Sequence, residues 1–295
     1  MDIRELQLFL KLAETLHYTR TSHLMAISPS ALSRTIQRME DQVGQRLFFR
    51  DNRGVILTPA GQRFREYARD VMDQWQSLQN DLSEDENELR GELTLYSSVT
   101  GCYTILPDLL SLCRQQFPGI HIKLKTGSAA DAVSAVVNGL SDLSVAAEPD
   151  ILSENLIFLN VTETPLQLVV PSMDCDINTK ISTSGKSWYE LPLILPEKGL
   201  ARKRIDRFFR SHQIQPEIYA EADGNEGIMA LVSLGFGVGI VPSLVRETSP
   251  MRDSIRVLEE VEELAPYKVG LCVNRRNSQT PVVRAFTSLV ESCQD

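Results

Sequence analysis

Apolar residues recur at steps of three and four from Ile3 through Leu6, Phe9, Leu10 and Ala13 to Leu16, so the chain opens on an amphipathic helix. A second short helix is expected from Thr19 to Ala26. The third begins at Ser28-Pro29, a serine N-cap followed by proline at the first helical position. Its residues divide between two faces: Leu32, Ile36, Met39, Val43 and Leu47 on one, Ser30, Ser33, Arg34 and Gln37 on the other. The runs 47–50 and 55–58 flank Asp51-Asn52-Arg53-Gly54 and predict a hairpin with Arg53 at its tip. Thr58-Pro59 repeats the start signal and opens a long helix to about Leu82. Along it Phe64, Ala68, Val71, Trp75, Leu78 and Leu82 form an apolar seam at alternating steps of four and three. Such a seam is either a dimerisation face or a face packed on its own chain. The acidic run 83–88 that follows reads as a solvated linker and favours the dimer.

From Gly91 the period changes to strands alternating with helices. Strands are expected at 92–97, 120–126 and 142–147, with helices at 103–116 and 129–138 between them. A second such unit has strands at 167–170, 193–195, 217–222 and 239–241 and helices at 201–212 and 227–234. A strand at 268–274 and a last helix at 281–292 return to the first lobe. Two α/β lobes of roughly 100 residues each make a clamshell, and clefts between lobes favour small ligands. Gly227 to Val245 is free of charge, but Gly235, Gly237, Gly239 and Pro242 divide it into a buried helix, a turn and a strand rather than a membrane span. Lys11 and Glu14 likewise interrupt the first helix too early for a secretory leader.

Composition sharpens this picture in two ways. The 295 residues carry a net charge of -9, yet residues 1–65 hold ten basic side chains against six acidic ones. A basic head on an acidic chain suits a polyanion. Five cysteines without a CxxC pair fit no disulfide framework and point to a reducing, cytoplasmic setting, while four histidines without ligand spacing argue against a metal site.

The polar face of the third helix has the chemistry of base recognition. The major groove admits one α-helix, where Arg and Gln can form paired hydrogen bonds to guanine and adenine and Ser can serve base or phosphate. A merely solvated face is the alternative, and the hairpin after it favours DNA, because a wing can set Arg53 on the backbone or in the minor groove. In the clamshell, the segments 97–100, 126–128, 196–203 and 223–227 end strands and open helices, so free N–H groups there suit a carboxylate. Ser98, Thr100, Gly127, Ser128 and Asn225 are the candidate contacts, although Ser128 with Asp131 also fits a helix cap. Arg202 sits in a first turn where the dipole disfavours cations; it either pairs with an anionic effector or joins a basic patch offset by Asp206.

The run Ser28-Pro29-Ser30-Ala31-Leu32-Ser33-Arg34-Thr35-Ile36-Gln37-Arg38-Met39-Glu40, with Val43-Gly44, Leu47-Phe48, Arg50 and Leu57-Thr58-Pro59-Ala60-Gly61, closely resembles the N-terminal domain of LysR-type transcriptional regulators. Leu234 to Pro242 resembles the family's glycine-rich stretch in the second effector lobe, so the likeness spans almost the whole chain. It implies an N-terminal all-α winged helix-turn-helix domain (1–58), a linker and dimerisation helix with hinge (59–90), and an α/β effector-binding domain (91–295). That domain is two Rossmann-like lobes in a periplasmic-binding-protein-like clamshell, lobe I being 91–161 with 267–295 and lobe II 162–266. It implies double-stranded DNA with an imperfect inverted repeat as partner, contacted by Ser30, Ser33, Arg34, Gln37, Arg38 and Arg53. A homodimer or homotetramer that engages RNA polymerase, with no membrane attachment, is implied too. Two departures stand out: Pro29 replaces a common DNA-touching glutamine, and Thr21-Ser22 replaces an alanine pair.

Asp51-Asn52-Arg53, Ser98-Val99-Thr100, Leu106-Pro107, Ile122-Lys123-Leu124, Thr126-Gly127, Ala129-Ala130-Asp131-Ala132, and Arg202 with Arg204-Ile205 resemble the members that answer acetohydroxy acids. That narrower likeness implies an activator of the acetohydroxy acid isomeroreductase gene of branched-chain amino-acid synthesis, with acetolactate or acetohydroxybutyrate as effector and no cofactor. A regulator of another small carboxylate, or a solute-binding protein, are the competing readings. An enzyme is disfavoured because no GxSxG, HExxH, P-loop or CxxC motif is present.

Overall fold

The computed structural model describes residues 1–51, 54–81, 89–184, 188–260 and 264–292. Arg53, Leu82 and the acidic run 83–88 lie outside the described residues. The chain forms two compact units, residues 1–86 and 87–295.

In the first unit, α1 (Ile3–Thr15), α2 (Tyr18–Leu24) and α3 (Pro29–Val43) precede a hairpin of β1 (Phe48–Asp51) and β2 (Gly54–Leu57), and α4 (Pro59–Asp81) follows. Local signals set the boundaries. Asp2 and Glu5 form a reciprocal capping box at the start of α1, and Ser28 Oγ accepts from the Ala31 amide at 3.1 Å at the start of α3. Gly44, at φ 71°, ends α3 in the left-handed conformation that glycine adopts without cost. Phe9, Leu12, Leu32, Ile36, Met39, Leu47 and Ala68 are fully buried and make the core. Val43 is instead exposed, because α3 stops there and Leu47 reaches the core from the loop. Glu40 Oε1 accepts from the amides of Leu47 and Phe48 and ties α3 to the hairpin. Thr21 and Ser22 are buried; Thr21 Oγ1 meets Thr15 Oγ1, and Ser22 Oγ donates to the Thr19 carbonyl.

The apolar seam of α4 is split. Phe64 and Ala68 belong to the head's own core, with the Phe64 ring edge-on to Phe9 at 4.7 Å, which corrects the expectation that they face a partner. Val71 also packs partly against that core, whereas Tyr67, Trp75 and Leu78 are exposed.

The second unit begins with β3 (Gly91–Ser97), α5 (Val99–Thr104), α6 (Leu106–Gln116), β4 (Ile120–Thr126), α7 (Ala132–Val137), β5 (Leu143–Ala147) and β6 (Leu156–Thr164). It continues with β7 (Leu166–Pro171), α8 (Asp176–Ser184), β8 (Leu193–Pro196), α9 (Gly199–Ser211), β9 (Ile218–Ala222), α10 (Asn225–Ser233), β10 (Val238–Pro242), α11 (Ser243–Thr248) and β11 (Ile255–Glu260). It closes with β12 (Tyr267–Asn274) and α12 (Pro281–Ser292). Two five-stranded sheets result, ordered β4-β3-β5-β12-β6 and β11-β7-β10-β8-β9. In each, three parallel strands are extended by two antiparallel pairings, so that one strand, β12 or β7, runs against the other four.

Three details differ from the sequence expectation. The helix expected at 103–116 is two: α5 ends at Thr104, and α6 starts at Leu106 with Pro107 in its first turn, which has no N–H to continue the ladder. Strands β6 and β11 are additions to it, since their alternation mixes polar and apolar residues on half-covered faces. Because β6 continues to Thr164, the first crossing between lobes falls at Pro165 and not at 161/162; the second lies between β11 and β12.

Lobe I packs α6 and α12, with Phe286 of α12 fully buried, over Leu93, Leu95, Leu143 and Leu271 of the sheet. In lobe II one sheet face buries Leu168, Leu193, Leu195 and Ile205, with Trp188 stacked on Phe208 at 5.5 Å; the other buries Ile194, Ile228, Met229 and Val232. A strand buried on both faces explains why Val238 to Pro242 reads as a continuous apolar run. Among the described residues no helix is long and apolar enough to cross a membrane.

Candidate functional site

The head presents one polar helix face. On α3, Ser30, Arg34 and Gln37 are exposed and Ser33 is half-buried, while Leu32, Ile36 and Met39 on the opposite side are fully buried. Ser28 Oγ lies 3.1 Å from Ser30 Oγ, and Arg34 Nε donates to the Ser30 carbonyl at 3.4 Å, so the first two turns are held in a defined shape. Pro29 is exposed at the first helical position, where its missing N–H costs nothing. Arg38 is placed differently. Its guanidinium donates to Glu5, a buried carboxylate of α1. Burial pushes the Glu5 carboxyl up, but the Arg38 hydrogen bond and the Asp2 amide outweigh it, and the group lies below the usual carboxylate range.

In the second unit a cavity of about 290 Å³ opens between the lobes. Lobe I lines it with Ser98 and Val99 from the end of β3 and Thr126 to Ala129 after β4; lobe II lines it with Asp223 to Glu226 at the start of α10. Both sets are strand-to-helix turns at the carboxyl ends of parallel strands, where ligands of open α/β sheets bind. Of the residues singled out from sequence, Ser98, Gly127, Ser128 and Asn225 meet in this lining. Ser98 Oγ accepts from the Gly101 amide at 3.2 Å and Ser128 Oγ from the Ala130 amide at 3.3 Å, so both hydroxyls also cap helices and keep their own protons available for a ligand. Gly127 leaves room for Tyr96, whose hydroxyl a Cβ there would strike and which donates to the Ser128 carbonyl at 2.9 Å. Burial, with the charge of Asp131, pushes the Tyr96 hydroxyl up, so it stays a donor.

Thr100 is buried beside the cavity. Its amide and Oγ1 both donate across the cleft to Glu226 Oε1, at 3.2 and 2.8 Å. Lys198 forms a second bridge between lobes, with Nζ 2.9 Å from Asp131 and 3.9 Å from Asp223. The Asp131 carboxylate holds the Lys198 ammonium above the usual lysine range. Arg202 lies elsewhere: its guanidinium donates to Asp206, to Glu221 and to the Pro196 carbonyl, all within lobe II. Glu221 beside it holds it protonated even more firmly than usual. The dipole puzzle of the α9 first turn is thus answered by neighbouring carboxylates. Sequence reasoning found the 223–227 turn but not the roles of Glu226, Asp223 and Lys198, because it sought donors for an anion and passed over acids. Among the described residues no cluster of His, Cys, Asp or Glu could hold a metal ion.

The comparisons with known proteins bear on both halves. Residues 3–62 match the model of the bacterial regulatory helix-turn-helix protein, lysR family, and residues 86–294 that of the LysR substrate binding domain. The chain belongs to the LysR family of transcriptional regulators. Among curated relatives, the HTH-type transcriptional activator IlvY of Salmonella typhimurium is 39% identical over 293 residues, 98% of this chain and 99% of that protein. The Haemophilus influenzae activator of the same name is 37% identical over 292 residues, 99% and 100% of the two chains. A full-length OxyR variant from Pseudomonas aeruginosa superposes with a TM-score of 0.70 at 20% identity, covering 100% of this chain and 95% of that one. Full-length CbnR complexed with its target DNA superposes at 0.62, also at 20% identity, covering 99% and 100%. This LysR-type regulator is therefore a DNA-binding transcription factor whose relatives are regulators and not enzymes, with an N-terminal helix-turn-helix and a two-lobed α/β domain for a small-molecule effector.

Proposed function

We propose that this regulator is an activator of branched-chain amino-acid synthesis that acts at the acetohydroxy acid isomeroreductase gene and answers acetolactate or acetohydroxybutyrate. The near full-length identity to IlvY activators carries this reading. The cleft supports it: about 290 Å³ is at the small end of ligand sites, which run to roughly 1,000 Å³, and its hydroxyls suit one carboxylate with hydroxyl and keto oxygens. Ser98, Thr100, Gly127, Ser128 and Asn225 are the proposed effector contacts, and Arg202 acts as a tie within its lobe. Ser30, Ser33, Arg34, Gln37 and Arg53 are the proposed base and phosphate contacts. The active form is a cytoplasmic homodimer, assembled further as a homotetramer, that reads an imperfect inverted repeat with half-site centres about 34 Å or a multiple apart and engages RNA polymerase.

The effector binds one lobe arrangement better than another and shifts the population. Footprinting on the DNA beside the regulator's own gene, with and without acetolactate, tests the reading. A protected inverted repeat whose pattern changes with ligand is expected. Protection that ignores acetolactate and acetohydroxybutyrate alike leaves the regulator standing and removes these effectors.

A further inference from the structure

Thr100 offers its amide and its hydroxyl proton at the edge of the cleft, and both already have an acceptor: one oxygen of Glu226, 126 residues away on the other lobe. The amides of Thr100 and Gly101 belong to the first turn of α5, and the Gly101 amide is closed by Ser98 Oγ. Glu226 lies in the first turn of α10 and is exposed toward the cavity it lines. With Asp223 it gives the described lining two carboxylates, and the cation beside them, Lys198, is held by Asp131 and Asp223. A carboxylate effector therefore meets a site whose best-placed donors are occupied by a carboxylate of the protein.

We infer that Glu226 is an internal competitor of the effector, an acid that holds the Thr100 donors in the unliganded cleft and is displaced from them when the effector carboxylate binds. The inference rests on reading this cleft as the effector site. The exchange conserves hydrogen bonds at Thr100 while breaking a polar bridge across the cleft, and the Lys198–Asp131 bridge remains. A ligand that replaces an inter-lobe bond with a bond to one lobe has different affinities for the two lobe arrangements, which is what a population shift requires. Glu226 also sets a threshold: a ligand without a carboxylate cannot repay the lost bond, so neutral hydroxyketones of the same shape are rejected.

The test is calorimetric titration of the full-length protein, wild type and Glu226→Ala, with acetolactate and with acetoin, its neutral decarboxylated counterpart. Removing the competitor should tighten acetolactate binding roughly three- to tenfold, the range for a charge-assisted bond at a half-exposed site. Acetoin, which no longer has a bond to repay, should gain as well while remaining weaker than acetolactate, and Thr100→Val in the Glu226→Ala background should abolish the gain. Unchanged or weaker acetolactate binding by Glu226→Ala overturns the inference, the weaker case making Glu226 an acceptor for the effector. If neither protein binds acetolactate, the effector reading fails separately. The exchange is then read with acetate as the probe, by hydrogen exchange of the segment 98–104. Protection by acetate in Glu226→Ala but not in wild type supports the competitor, and equal responses overturn it.

Discussion

At the residue scale, the head separates two kinds of arginine that the sequence motif does not. Arg34 is exposed on the polar face of α3, whereas Arg38 neutralises a buried acid. Arg34→Ala is expected to cost about 1–3 kcal/mol of operator binding and to relax preference at one base pair, as measured by fluorescence anisotropy on operator and scrambled duplexes. Equal loss on both duplexes would make Arg34 a phosphate contact. Arg38→Ala should instead lower the thermal stability of the head, by about 1–3 kcal/mol, because the Glu5 carboxylate loses a charged donor. In the body, Gly199 has φ 96° and a Cβ there would come 2.8 Å from the Ala130 Cβ of the other lobe. Gly199→Ala is strained on both counts, and the lobes can relieve it only by parting. Weaker effector binding with an unchanged fold, seen by calorimetry and circular dichroism, is the expected result.

At the scale of elements, much of the architecture was legible because local chemistry and global fold agree. Ser28-Pro29 and Thr58-Pro59 mark helix starts that the structure keeps, with Thr58 Oγ1 accepting from the Gly61 amide at 2.8 Å. Strands covered on both faces, such as β8 and β10, read as apolar runs. Edge strands β6 and β11 did not, because half-covered strands carry polar residues and no period longer than their own few pairs. The candidate cleft was legible as a set of strand-to-helix turns, but the Thr100–Glu226 contact joins residues whose proximity depends on two lobes closing together, which no local pattern encodes. The seam of α4 shows the same limit: its period predicted one face, and the structure divides that face between the head's core and solvent. Phe64→Ala should therefore destabilise the head by about 3–5 kcal/mol. Trp75→Glu should leave its melting temperature nearly unchanged and shift the protein toward monomer in analytical ultracentrifugation. A dimer unaffected by Trp75→Glu would place the partner face elsewhere.

At the scale of the effector domain, the relation between lobes is held at the hinge as well as at the cleft. Arg204, on α9 of lobe II, donates to Asp150 in the loop after β5 of lobe I, at 2.9 Å, and to the carbonyls of Ala265 and Pro266 on the second crossing. Its guanidinium also lies 5.1 Å from the ring centroid of Tyr267, where β12 begins. One side chain thus ties the β5–β6 loop, the returning strand and the helix to one another. Hydrogen bonds from Arg204 and Arg207 hold the Asp150 carboxyl below the usual aspartate range. A depressed carboxylate contributes stability above its unfolded pKa, near pH 4, and loses it as the pH falls through the folded value. Small-angle scattering of the wild type should accordingly show the lobes keeping their spacing at neutral pH and loosening only below about pH 4. Arg204→Ala should be looser already at pH 7, show a smaller acidic step because Arg207 still holds Asp150, and bind effector more weakly although it touches no residue of the cavity. The contribution is modest, about 1 kcal/mol, since the pair is partly open to solvent. A variant with wild-type spacing and affinity would mean that the two crossings alone set the angle, and that the cleft contacts carry all of the coupling between effector and lobe arrangement.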